Sequence, residues 1–262
     1  MATAAPVQPD APRRGIKALL AHYPLVFYFM IAYAFAWLAE MPLVLSQDGA
    51  GLLSYRSPLG LYASIAIASF VGPFLSAFIM TGITEGRSGV GRLVRRMVLW
   101  RVGFSWYLFA FLGIPAIMVL SVIFLPGVLA SFQGLAIVIF LPFQGRAPLS
   151  LLSLLVLFVT VFFLGGPLGE EPGWRGFALP RLQRRYGPLV GSLILGPLWA
   201  FWHLPIFWVP AWNYPPTILN IVMFAIAAIA FTIVMTWSST AQKAACSSLS
   251  WCTPLLTWFW RP

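Results

Sequence analysis

Two of the six acidic residues in this 262-residue chain stand side by side at the end of a long apolar run. They are Glu170 and Glu171, in FLGGPLGEEPGWRGFALPRLQRRYG. A carboxylate loses much of its hydration at membrane depth, so an intramembrane ionisable pair is first of all a functional-site hypothesis. Two close carboxylates also resist ionising together, which is how such a pair becomes a base and its partner at neutral pH. Arg175 follows Glu171 by four residues, the spacing of an ion pair along one helical face. Pro172 suits a first helical turn and disfavours an α conformation at Glu171. The string therefore predicts a helix over Trp174–Arg185, with both carboxylates at its N-terminal end, where backbone N–H groups favour negative charge. The plain structural alternative is a Glu–Arg clamp closing a helix junction.

The second chemical segment is GPLWAFWHLPIFW. His203 is the one histidine inside an apolar run, since His22 falls at the first membrane interface. Trp199 lies four residues earlier and shares its helical face. A lone histidine on an apolar helix is more often structural than catalytic. Beside two carboxylates and Arg175, it completes a set of base, proton partner and cation in a dry cavity. The other acidic residues have simpler readings. Asp10 and Asp48 lie in a tail and a loop, Glu85 begins a basic loop, and Glu40, late in the first span, is expected to snorkel to the far interface.

The elements that must position these residues are membrane helices. Sixty per cent of the residues are hydrophobic and 8% charged, where soluble domains carry about 25% charged residues. That excludes a soluble globular enzyme, and the aromatic content excludes a disordered chain. Two cysteines, Cys246 and Cys252, cannot build a disulfide framework. The net charge is +10, but the arginines sit in short clusters between apolar runs. That is the positive-inside pattern rather than a nucleic-acid footprint. The expected partners are membrane lipid and a peptide or protein substrate, with no nucleic acid.

A spanning helix needs about 20 mostly apolar residues. Six segments qualify: Tyr23–Leu45, Leu59–Ile83, Phe104–Leu125, Leu149–Leu168, Pro188–Val209 and Pro216–Trp237. Val128–Phe143 is shorter, is bracketed by Pro126-Gly127 and Pro142, and reads as re-entrant or interfacial. With that reading, Arg13–Lys17, Arg87–Arg101 and Arg175–Arg185 all fall on one side, taken as cytoplasmic. The Arg87–Arg101 stretch reads as an interfacial helix that fixes topology, with a lipid-headgroup anchor as its functional alternative. The fold class expected is all-α, a polytopic transmembrane helix bundle of six to eight membrane segments. Residues 1–22 form a polar tail, and the protein is placed in the plasma membrane with its N-terminus cytoplasmic.

GEEPGWRGFALPRLQ followed by GPLWAFWHLP resembles the first two motifs, EExxxR and FxxxH, of the CPBP family of membrane endopeptidases. That family comprises type II CAAX prenyl proteases and bacteriocin-processing and self-immunity proteins. The resemblance is close around Glu170–Gln183 and Gly196–Pro205 and extends with the span order over residues 23–237. It implies an all-helical intramembrane protease in which Glu170 activates the attacking water and His203 holds it or shuttles its proton. Glu171 and Arg175 order the site. A zinc mechanism also exists as a reading for the family. One histidine and two glutamates supply the three ligands of a catalytic zinc only with strain, so no cofactor is expected.

The chain departs from the pattern in two places. Trp199 stands where FxxxH has phenylalanine, and no third motif, HxxxN, follows His203. After Trp237 the sequence turns abruptly to SSTAQKAACSSLSWCTPLLTWFWRP. Synonymous codons in the neighbouring frame permit FNSTKGSVLLAILVHASFNLVLAP, a turn, an apolar run and the missing HxxxN. Residues 238–262 are therefore read as an aberrant, frameshifted tail. Two further classes remain as alternatives: a non-catalytic immunity or binding protein on the same fold, and a proton-coupled transporter using the glutamate pair. No inverted repeat supports the transporter.

Overall fold

The computed structural model describes residues 15–97, 103–113, 116 and 166–248. The Val128–Phe143 segment lies outside the described residues, as do most of Phe104–Leu125 and Leu149–Leu168. All regular elements among the described residues are helical. The chain divides into two compact units, one of residues 1–97 with 163–234, the other of 98–162 with 235–262. In the second, the described helix α5 (Phe104–Leu108) continues into a π turn, Phe109–Gly113. There Phe109 meets Trp237 edge to face at 5.7 Å between ring centroids. The first unit holds the two chemical segments.

Helix α1 (Ile16–His22) leads into α2 (Pro24–Leu45), which starts on Pro24 at a position where a missing N–H leaves no bond unmade. Its 22 residues reach about 33 Å, enough to cross a bilayer core. The loop after it is tied by Asp48, which accepts from Arg56 and from the Ser57 backbone N–H. The chain then reverses into α3 (Leu61–Ser69), passes through a π turn at Phe70–Phe74, and continues as α4 (Leu75–Met97). Among the described residues, three stretches are long and apolar enough to span: Pro24–Leu45, Leu61–Met97 and Ile218–Thr240, the last inside α8 (Ile218–Ser248).

Between them lies the segment that carries the motifs. Helix α6 (Pro167–Gly173) runs through a π turn, Trp174–Ala178, into α7 (Leu179–Trp202). Two short 3₁₀ turns, Leu204–Trp208 and Pro210–Trp212, follow. The helix expected to begin near Trp174 thus begins at Pro167. Gly166, at φ 108°, turns the chain there, and Pro167 takes the first-turn position assigned to Pro172. Pro172 lies inside the helix, where it offers no N–H and its ring crowds the preceding turn. The wide turn that follows it is the local adjustment that lets the helix proceed. The Pro188–Val209 span is corrected in the same way: its helix ends at Trp202, and the remainder is 3₁₀.

Aromatic packing holds α2 to the motif segment. Tyr28, Trp174, Phe177 and Trp202 are fully buried in one core. Tyr28 meets Trp174 edge to face at 5.6 Å between centroids. The Tyr33 hydroxyl donates to the Leu198 carbonyl, and Trp37 Nε1 donates to the Trp202 carbonyl at 3.0 Å. The expected snorkelling of Glu40 does not occur. That side chain is 1% exposed, because it lies on the same face of α2 as Tyr28, Ala32 and Ala36, four residues apart and all turned to the core.

Candidate active site

Glu170 sits in the first turn of α6 and is 6% exposed. Its position depends on two glycines. A Cβ on Gly166 would stand 2.1 Å from Glu170 Oε1, and one on Gly169 would stand 2.6 Å from the Ser69 Cβ. Both close approaches therefore exclude a side chain. The carboxylate is held by Trp199 Nε1, which donates to Oε2 at 2.8 Å. Ser69 Oγ, at 3.5 Å, approaches Oε1. The second oxygen is thus only weakly engaged and retains capacity to take a proton.

Glu171 points to another partner. Arg175 Nη1 donates to Glu171 Oε1 at 2.9 Å, the four-residue pair expected from spacing. Its other arm approaches Thr232 Oγ1 on α8 at 3.5 Å. The guanidinium lies over the Trp199 ring, 4.6 Å from its centroid. A planar cation flanked by a carboxylate and an aromatic face is a site that lysine could not fill equivalently. Glu171 and Arg175 hold each other, and among the described residues Glu170 is the member of the pair without a cationic bond.

His203 ends α7 and is 7% exposed. Nδ1 lies 2.9 Å from the Trp199 carbonyl. A carbonyl oxygen only accepts, so Nδ1 carries the proton and Nε2 presents its lone pair. Trp202, Trp212 and Phe224 surround the ring, with Trp212 stacked on it. Trp199 thus joins three of the four expected residues: its indole binds Glu170, its carbonyl orients His203, and its face carries Arg175. Sequence reasoning placed Trp199 on the helical face of His203 and read it as an aromatic exchange within a motif, without its bonds to Glu170 and Arg175, and it missed Ser69. The signal for Trp199 was its four-residue spacing to His203. Nothing in the sequence around Ser69 pointed to the site, because it comes from α3, a hundred residues away.

A catalytic zinc takes three protein ligands and a water. The described residues contain no group of three or more His, Cys, Asp or Glu arranged to hold a metal. Glu171 is paired with Arg175 and Glu170 with an indole N–H.

Comparison with known proteins agrees with the motif reading. Residues 152–247 match the family model described as type II CAAX prenyl endopeptidase Rce1-like. A protein of Methanococcus maripaludis named CAAX prenyl protease 2 is 28% identical over 162 residues. That match covers 60% of this chain and 55% of the relative, so the chain spans about half the length of the curated relative it matches. No solved structure matches. Both matches support the resemblance to the CPBP family carried by the two motifs, and with the apolar helices they indicate an integral membrane protein.

Proposed function

We propose that this protein is an intramembrane endopeptidase that hydrolyses a peptide bond in a membrane-associated or prenylated substrate through a water activated by Glu170. The observation that carries the reading is the arrangement around Trp199. One buried carboxylate, held by the indole N–H, and one buried imidazole, whose Nδ1 is turned to the backbone carbonyl, are fixed by the same residue. Glu170 takes a proton from water as the oxygen attacks the scissile carbonyl. His203 Nε2 accepts the second hydrogen bond of that water and orients it. The proton on Glu170 passes to the departing amine, so the carboxylate is regenerated when the carbon–nitrogen bond breaks. Arg175, fixed by Glu171, supplies positive charge beside the developing oxyanion.

The test is cleavage of a fluorogenic prenylated peptide by the purified full chain in liposomes. Glu170→Gln should lower the rate by about 10²–10⁴-fold, the usual contribution of a positioned base. Cleavage unaffected by Glu170→Gln would overturn the reading. A second reading, a non-catalytic immunity or binding protein, is favoured by one feature: no histidine follows His203. Binding of the prenylated peptide without any cleavage would support that alternative.

A further inference from the structure

The basic end of the first unit carries positive charge that the proposed chemistry does not use. Two left-handed glycines shape it. Gly86, at φ 66°, breaks α4, so residues 87–97 bend away from the apolar part of that helix. Gly187, at φ 81°, breaks α7 in the same way, so residues 179–186 form a second short arm ahead of its apolar part. The first arm carries four arginines and the second three.

Glu85, beside the break in α4, joins the two arms. Its Oε2 accepts from Arg92 at 2.8 Å, and its Oε1 accepts from Arg181. Leu93 packs so closely on the motif segment that a Cβ on Gly176 would stand 2.8 Å from its methyl group. The Arg181 guanidinium also covers the Phe177 ring, 3.6 Å from its centroid. The arms are therefore fixed to each other.

Helical spacing extends this bridge into two rows. Arg96 follows Arg92 by four residues, and Arg184 and Arg185 follow Arg181 by three and four, so each continues the face that begins at Glu85. The rows run side by side, since Arg96 and Arg184 act on each other electrostatically and both act on Arg181. Residues 84–97 and 174–187 contain no acidic residue besides Glu85, and both its oxygens are already engaged. Arg184 and Arg185 are exposed and make no ion pair among the described residues. Val94, Tyr186, Leu189 and Val190 are exposed beside them. Guanidinium groups mixed with exposed apolar side chains at the end of a spanning helix suit the headgroup layer.

We propose that the two rows bind the headgroup of an anionic phospholipid. Its phosphate sits beyond Glu85 and is held as Glu85 is held, with oxygens turned to both arms. Planar guanidinium forks match phosphate oxygens in pairs, and the exposed apolar side chains lie along the acyl chains. Charge alone would serve to orient the helices. The Glu85 bridge adds a fixed spacing between cations, which a topology signal does not need and a bound anion does.

The experiment uses the purified full chain in uncharged detergent micelles, titrated with phosphatidylglycerol carrying a fluorescent acyl chain and followed by anisotropy. Binding should saturate and be tighter by about ten-fold or more than that of phosphatidylcholine with the same label. The double variant Arg184→Gln, Arg185→Gln should weaken phosphatidylglycerol binding by about 25-fold, about five-fold for each charge lost at a membrane surface. Arg96→Gln, on the other arm, should weaken it by about five-fold, so either variant decides if the other fails to fold. Equal affinity for the two lipids, or a folded variant that binds phosphatidylglycerol as wild type does, overturns the proposal. Millimolar inorganic phosphate should leave the lipid bound; complete displacement would show a seat for free phosphate and overturn the lipid assignment. Binding is read without a peptide substrate, so the outcome does not depend on the hydrolytic reading.

Discussion

At the scale of the residue, Trp199 is the common support of the site. It donates to one carboxylate, fixes the tautomer of one imidazole and supports one guanidinium. Trp199→Phe keeps the backbone carbonyl and an aromatic face but removes the N–H, leaving Glu170 Oε2 without its donor. Such a loss costs about 1–3 kcal/mol, so peptide cleavage should slow by roughly 10- to 100-fold. Steady-state rates with KM unchanged would bear this out, and an unaltered kcat would show that the indole does not position the base. Gly166 gives a sharper case. Alanine there meets both an unfavourable φ of 108° and the Glu170 carboxylate at 2.1 Å. Gly166→Ala should abolish most activity while the helical circular dichroism persists, and retention of full activity would contradict the placement of Glu170.

At the scale of the element, the site depends on two wide turns, the first packed against α6 and the second continuing α6. The π turn at Phe70–Phe74 includes Pro73, and the one at Trp174–Ala178 follows Pro172. The end of α6 approaches the first turn and α2 so closely at Gly173 that a Cβ there would stand 2.5 Å from both the Pro73 carbonyl and the Tyr28 hydroxyl. Each proline denies its helix a regular bond, and the widened turns absorb the mismatch and let the two segments pack. Two further glycines break helices in conformations that other residues rarely adopt, Gly86 at φ 66° and Gly187 at φ 81°. Neither has a neighbour among the described residues within 4 Å of an added Cβ, so a substitution there reads mainly backbone strain. Gly187→Ala should lower stability by about 1–3 kcal/mol, measured by thermal unfolding in detergent. An unchanged melting temperature would mean that the bend relaxes without cost.

At the scale of the whole molecule, the bends gather positive charge at one end of the first unit. Glu85 accepts from both Arg92 and Arg181, and Arg181 also reaches Thr84. Helix α1 packs beside α4, so the arginine stretches of α4 and α7 lie at the end where α2 begins. This supports placing the clusters on one side of the bilayer, taken as cytoplasmic by the positive-inside rule. Arg95→Cys and Arg184→Cys should therefore react with an impermeant maleimide from the same side, and labelling from opposite sides would refute the topology. The tail is the other question at this scale. α8 continues past Trp237 to Ser248, and the family match extends to residue 247. Replacing the segment after Trp237 with the neighbouring-frame string, and with it HASFN, should raise peptide cleavage by about 10²–10³-fold, the contribution of an oxyanion donor. No gain would show that the third motif is dispensable here.

The sequence by itself determined the membrane class, the spacing of Glu171 and Arg175, and the identity of the two motif segments. Those are local or compositional properties: a charge fraction of 8% cannot cover a soluble surface, and a four-residue step places two side chains on one face whatever else the chain does. It misplaced the start of the motif helix because two prolines compete for the first-turn position, and only the left-handed Gly166 decides between them. It sent Glu40 to the interface because hydropathy gives depth along a helix but not the face a residue presents. The tertiary structure turned that face inward, against α3. It also brought Ser69 to Glu170 and made Trp199 the common support of base, imidazole and cation. Contacts between residues 29 and 101 positions apart depend on how the helices pack, and no periodicity within one segment encodes them.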